Sequence, residues 1–145
     1  MVITDHINLL PNPLMGNNDE RIGTRFPDMG EAYNKSLINK ALSIARENKI
    51  NVLKGIYLAT SGPTYETPAE YKYFRIIGAD AVGMSTTPEV IIARHMNLPC
   101  FGVSVITDLG VEGKIGYTTH ELVQAEAART EELVTTIIKA MISSL

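Results

Sequence analysis

Gly55-Ile-Tyr-Leu-Ala-Thr60, followed by Thr67-Pro-Ala-Glu70, Gly78 and Ala81-Val-Gly-Met84, spells a strand, a helix and a second strand. The first segment is a short apolar run of the kind buried in a parallel sheet. Thr67 reads as a helix N-cap, with Pro68 in the first helical position and Glu70 in the third, where it reaches back to the cap. The spacing predicts a helix to about Ile77, stopped by Gly78. Thr86-Thr-Pro-Glu89 opens a further helix ending near Asn97, and Cys100–Ile106 reads as a third buried strand. Beyond a Gly-containing loop, Thr118-Thr-His-Glu121 reads as another capping box, and Leu133, Val134, Ile137, Ile138, Met141 and Ile142 share one face of the last helix. Upstream, Met1–Ile7 has strand character. Asn8–Gly30 is too densely punctuated for a regular element, and Glu31–Asn48 has helical spacing through Leu37, Ile38, Ala41, Leu42 and Ala45. The second half therefore reads β-α-β-α-β-α, which implies parallel strands with right-handed crossovers. The fold class expected is α/β: a three-layer, mostly parallel central sheet with helices on both faces.

The rest of the composition bounds the possibilities. The chain has 145 residues and a net charge of −3, with 45% hydrophobic and 20% charged residues, which argues against disorder. One domain, residues 1–145, is expected at this length. A mildly acidic chain without a Lys/Arg run is poorly suited to a phosphate backbone, so no nucleic-acid partner is expected. Cys100 is alone and cannot form an internal disulfide, and no Cys/His spacing resembles a metal site. No apolar run approaches the ~20 residues of a membrane span, and Asp5 and His6 do not suit a signal peptide. A cytoplasmic chain with no membrane partner is expected. No G-x-G-x-x-G follows a strand, which disfavours a dinucleotide-binding domain.

Ligands of open α/β sheets bind beyond the carboxyl ends of the strands. Three segments stand there: Ser61-Gly-Pro-Thr-Tyr-Glu66, Met84-Ser85-Thr86 and Thr107-Asp108. Chain order places them on one rim, with a carboxylate on each outer segment and a hydroxyl between them. That arrangement suits a small-molecule pocket.

Ser61–Glu70, followed by Gly78-Ala-Asp-Ala-Val-Gly-Met-Ser-Thr-Thr-Pro-Glu-Val90, closely resembles the trimeric purine nucleoside phosphorylases. So do Asp5-His6-Ile7-Asn8, Asn18-Asp-Glu-Arg21 and Arg25-Phe-Pro-Asp-Met29. The resemblance covers only the C-terminal half of that family, so the sheet is expected to be incomplete at its N-terminal side. The family's other half carries a glycine-rich phosphate loop, the phosphate-binding Arg and His and part of the ribose site, none of which is expected here. The resemblance implies phosphorolysis of inosine or guanosine to free base and ribose 1-phosphate, in purine salvage. It implies a homotrimer, inorganic phosphate as co-substrate and no metal or organic cofactor.

By the same resemblance, Glu66 matches the carboxylate that accepts hydrogen bonds from N1–H and the 2-amino group of guanine. Read alone, Glu66 is equally a helix-entry carboxylate favoured by the dipole of the following helix, and Glu70 reads as the plain cap. Tyr65, Val82, Gly83, Met84 and Thr107 match the substrate-binding walls; taken alone, Val82 and Met84 are ordinary core residues, whereas Gly83 would let a ligand approach the backbone. Ser85 matches a phosphate-contacting hydroxyl ahead of a helix N-terminus, though a simple cap is the plainer reading and Thr86 or Thr87 can fill that role instead. His120 matches the residue reaching the sugar 5′-hydroxyl. His6 reads as a loop residue after a strand and His95 as a helix-end cation. Phe26, read alone, is a plug under its own loop. In the family it covers the sugar of a neighbouring subunit.

Asp108 departs from the family, which commonly has Asn there to contact N7 and O6 of a 6-oxopurine. An ionised Asp accepts hydrogen bonds only, whereas a protonated one can donate to N7 and help neutralise the leaving base. Asp at this position is also a feature of the related methylthioadenosine phosphorylases, which take 6-aminopurines. Two further readings thus stand beside 6-oxopurine phosphorolysis: a 6-aminopurine phosphorylase, and an inactive chain that binds purine weakly or mediates assembly.

Overall fold

Val2–Asn8 forms β1, Lys54–Ala59 forms β2 and Ala81–Gly83 forms β3, a parallel sheet in the order β1-β2-β3. The computed structural model describes residues 1–111, 113 and 115–144. A register shift between Ile3 and Asp5 leaves Thr4 as an extra residue in β1. Side chains alternate along a strand, so one inserted residue exchanges the faces. Ile3 and Ile7, both odd-numbered, consequently serve opposite cores: Ile3 packs with Tyr57 and Ala59, and Ile7 with Leu58.

Four helices cover those two faces: α1 (Lys35–Glu47), α2 (Pro68–Ile76), α3 (Thr87–His95) and α4 (His120–Ile142). Ile38, Ala41 and Ala45 of α1, Val90 of α3, and Ile137 and Met141 of α4 pack on the Ile3 face. Phe74 of α2, with Ala79 just beyond it, packs on the Leu58 face. The α/β reading, with a parallel sheet between helices, is borne out. Helix α2 follows its sequence signals closely. Thr67 Oγ1 accepts from the Glu70 amide at 3.3 Å, and Glu70 Oε2 accepts from the Thr67 amide at 2.7 Å. At the far end Gly78 has φ +102°, and the amides of Gly78 and Ala79 return to the Arg75 and Phe74 carbonyls. Only a residue free to adopt that left-handed conformation ends a helix so cheaply.

Cys100–Ile106 does not form the strand expected of it. Val103 makes one isolated antiparallel bridge to Val2, and the flanking bonds run from the Ile3 amide to Gly102 O and from the Ser104 amide to Met1 O. Pairing is confined to that short edge of β1. Past Ser104 the segment leaves the sheet, and Val105 and Ile106 turn to line a cavity. The apolarity that suggested a strand serves a pocket wall instead.

Smaller corrections have equally local causes. Helix α1 begins at Lys35, after Asn34, whose side chain accepts from the Leu37 amide, so Glu31–Asn34 precede the helix. In α4 the N-cap is Thr119, bonded to the Leu122 amide, so no reciprocal box with Glu121 forms from Thr118. Its expected apolar face is only partly used: Ile137 and Met141 are buried, whereas Leu133 and Ile142 are exposed. His6 lies inside β1, half-buried, with Nδ1 3.2 Å from the Tyr33 hydroxyl. Burial lowers its pKa, and the Asp5 charge opposes that shift. His95 ends α3 as expected but is buried, and its Nε2 stands 3.0 Å from Asn18 Oδ1. A Cβ on Gly23 would lie 1.9 Å from the His95 carbonyl oxygen. The irregular segment between β1 and α1 is thus held against the end of α3. Among the described residues no helix is long and apolar enough to cross a membrane.

Candidate functional site

Beyond the carboxyl ends of β2 and β3 lies a cavity of about 610 Å³, within the usual ~300–1,000 Å³ of small-molecule sites. Tyr65 and Glu66 enter it from the loop after β2, and Val82, Gly83, Met84 and Ser85 from β3 and its end. Thr107 and Asp108 reach it from the segment past the Val103 bridge, and His120 from the first turn of α4. The three rim segments of the sequence reading therefore converge. Phe26 does not join them. It is 84% exposed, with the Arg25 guanidinium 5.5 Å from its ring centroid, so it is no plug under its own loop.

The cavity's polar groups form a connected chain. Thr107 Oγ1 donates to Asp108 Oδ1 at 2.9 Å. The Tyr71 hydroxyl stands 3.2 Å from Glu66 Oε2 and 3.5 Å from Asp108 Oδ2. Burial and then the charges of Glu66 and Asp108 push the Tyr71 phenol well above its ordinary pKa, so it keeps its proton and acts as a donor. Its ring is seated against a bare backbone: a Cβ on Gly110 would lie 2.2 Å from Tyr71 Cδ1. Tyr71 escaped the sequence reading because it sits inside a helix that was read only through its start and stop signals. The available signal was its place five residues after Glu66, close enough to return over the helix entry.

Ser85 occupies a junction. It lines the large cavity and also a groove of about 480 Å³ beside the start of α3. Its hydroxyl is 3.2 Å from Thr86 Oγ1. Thr86 has φ +73°, and no side chain caps α3. A β-branched residue in that region is strained, so neither Thr86 nor Thr87 supplies the plain cap expected. Thr87 Oγ1 is instead buried without a partner among the described residues. The unsatisfied amides of a helix start favour anions, and Ser85 adds a hydroxyl at that place.

Gly83 and His120 also have neighbours within the chain. A Cβ at Gly83 would lie 2.1 Å from the Tyr57 hydroxyl, so a larger residue there would displace that ring. His120 is exposed, and the Gln124 amide donates to its Nε2 at 3.0 Å. No group of three or more His, Cys, Asp or Glu side chains able to hold a metal occurs among the described residues.

The sequence profile of the phosphorylase superfamily matches residues 1–143. The chain belongs to that superfamily. It is 46% identical over 135 residues to purine nucleoside phosphorylase 1 of Geobacillus stearothermophilus, which covers 92% of this chain and 48% of the relative. The structure superposes with a TM-score of 0.93 and 39% identity on a Schistosoma purine nucleoside phosphorylase in complex with hypoxanthine, covering 99% of this chain and 54% of that one. Isoform 2 of the Schistosoma mansoni enzyme, in complex with cytosine and ribose-1-phosphate, gives 0.94 at 39% identity, with coverage of 99% and 53%. The resemblance read from the motifs is borne out, and the chain spans about half the length of the curated relatives it matches.

Proposed function

We propose that these 145 residues form the purine-holding part of a purine nucleoside phosphorylase, cleaving inosine- or guanosine-type nucleosides within a complete enzyme. The observation that carries this reading is the convergence of Glu66, Asp108 and Ser85 on one cavity from three separate segments. In phosphorolysis a phosphate oxygen bonds to the anomeric carbon as the bond to N9 breaks, and the electron pair of that bond leaves with the base. Catalysis therefore needs groups that stabilise the departing purine and place phosphate beside the sugar. Glu66 accepts from N1–H and the 2-amino group, and Asp108, when protonated, donates to N7. Tyr65, Val82, Gly83, Met84 and Thr107 wall the base and ribose. Ser85 contacts phosphate next to the α3 N-terminus, and His120 reaches the 5′-hydroxyl. Phe26, exposed on its loop, covers the sugar of a neighbouring copy in a homotrimer. The reaction takes inorganic phosphate as co-substrate, with no metal or organic cofactor, in the cytoplasm.

A second reading has a specific observation behind it. Both Asp108 oxygens already face hydroxyl donors, Thr107 and Tyr71. A carboxylate held between those donors as an acceptor matches the exocyclic amine of a 6-aminopurine.

Ser85 is the one phosphate ligand placed, so the 145-residue chain alone is expected to turn over inosine at background rates. Joined in one polypeptide to the N-terminal half of the Geobacillus relative, it is expected to release hypoxanthine and ribose 1-phosphate. Turnover by verified 145-residue material, or a folded but inactive joined protein, would count against this assignment.

A further inference from the structure

We propose that Tyr71 is a specificity-determining positioning residue, whose hydroxyl is the donor shared by Glu66 and Asp108 and holds Asp108 as an acceptor toward the purine 6-position. The inference deepens the reading of this cavity as a purine site and rests on it. A phenol has one proton, and Tyr71 faces two carboxylates from segments 37 residues apart in chain position, at 3.2 and 3.5 Å. Neither distance is short for an O–H···O bond, so the hydroxyl lies between its partners rather than being committed to one. Burial and the two negative charges keep the phenol protonated, which excludes it as a base and leaves it the donor. The Thr107 hydroxyl closes the chain from the other side, donating to Asp108 Oδ1.

The consequence for the ligand follows from donor counting. The Thr107 hydroxyl fixes one Asp108 oxygen and the Tyr71 hydroxyl faces the other, so the carboxylate is held in one orientation as an acceptor. It then welcomes an amino group and disfavours a carbonyl oxygen at the same place. Removing the Tyr71 hydroxyl leaves the second oxygen unheld and lets the carboxylate turn away from the purine 6-position. A 6-oxopurine gains from that change and a 6-aminopurine loses. The ring position is itself maintained by Gly110, since a methyl group there would lie 2.2 Å from Tyr71 Cδ1 and push the ring aside. Gly110→Ala is therefore a second, independent way to remove the hydroxyl from its place.

The test is equilibrium binding of adenine and hypoxanthine to the 145-residue chain, to Tyr71→Phe, to Gly110→Ala and to Tyr73→Phe, an exposed tyrosine on the same helix. Tyr71→Phe and Gly110→Ala are expected to raise the hypoxanthine-to-adenine affinity ratio by about three- to tenfold, the effect of one hydrogen bond. Tyr73→Phe is expected to leave it unchanged. A merely structural tyrosine is separated by a double-mutant cycle: in an Asp108→Asn background, Tyr71→Phe should no longer move the ratio. A ratio unchanged in folded Tyr71→Phe, or moved equally in the Asp108→Asn background, overturns the proposal while leaving the purine site intact. Wild-type protein that binds neither base overturns the purine site and this inference with it.

Discussion

Glu66→Ala is expected to weaken guanine binding by roughly ten- to a hundredfold, corresponding to about 1.5–3 kcal/mol for a charged hydrogen-bonding partner. A carboxylate facing two N–H groups of the base leaves both unsatisfied when it is removed. The competing role for Glu66, a carboxylate favoured by the start of α2, makes a different statement: the variant would lose stability and keep its affinity. Glu70→Ala supplies the comparison. Glu70 closes the capping box with Thr67, and its backbone and side-chain bonds to Thr67 hold its pKa below the usual carboxylate value. Its removal should lower stability, by opening the capping box, without changing guanine affinity. Titration calorimetry with guanine, together with urea unfolding of both variants, separates the two carboxylates. Equal affinities for wild type and Glu66→Ala would assign Glu66 to the helix rather than to the base.

Leu58→Ala is expected to cost about 2–5 kcal/mol of stability, the range for deleting a buried leucine side chain. Leu58 is completely buried in β2 and joins Phe74 and Ala79 to the sheet, with Ile7 and Val82 beside it. The larger face of the sheet is packed by three helices, whereas this face relies on α2 and a much smaller cluster. Val82 belongs to that cluster and to the cavity wall. Loss of Leu58 should therefore loosen the site as well as the core. An unfolding free energy lowered by less than about 1 kcal/mol in urea denaturation, with guanine affinity unchanged, would mean that the site does not depend on this small core.

The elements with complete local signals were legible. Thr67-Pro-Ala-Glu70 and Gly78 bracket α2 because each satisfies a backbone group that the helix leaves open. Glu66 and Ser85 were legible because the parallel strands β2 and β3 put their carboxyl ends on one side, and Asp108 meets them there although the segment before it makes only one antiparallel bridge. The failures share a physical cause, since each was decided by a partner distant in sequence. Cys100–Ile106 has strand composition, but whether it extends a sheet depends on how much of β1 it can reach, and only a single bridge forms. His95 reads as a helix-end residue, but its burial against Asn18, 77 positions away, has no local signal. Gly83 lines the cavity as its bare backbone suggested, but the nearness of the Tyr57 hydroxyl to its Cβ position has no local signal. Tyr71 belongs to the same group: its partner Asp108 lies on a segment that no local pattern brings back to α2.

The account's central claim is that the cavity beyond β2 and β3 holds a purine base. Amide NMR of the 145-residue chain titrated with guanine measures that directly. Progressive shifts concentrated at Tyr65, Glu66, Val82–Ser85 and Thr107–Asp108, with Phe26 and the α1–α4 surface unmoved, are the predicted result. Absence of shifts at saturating guanine, or shifts centred away from these three segments, would contradict it.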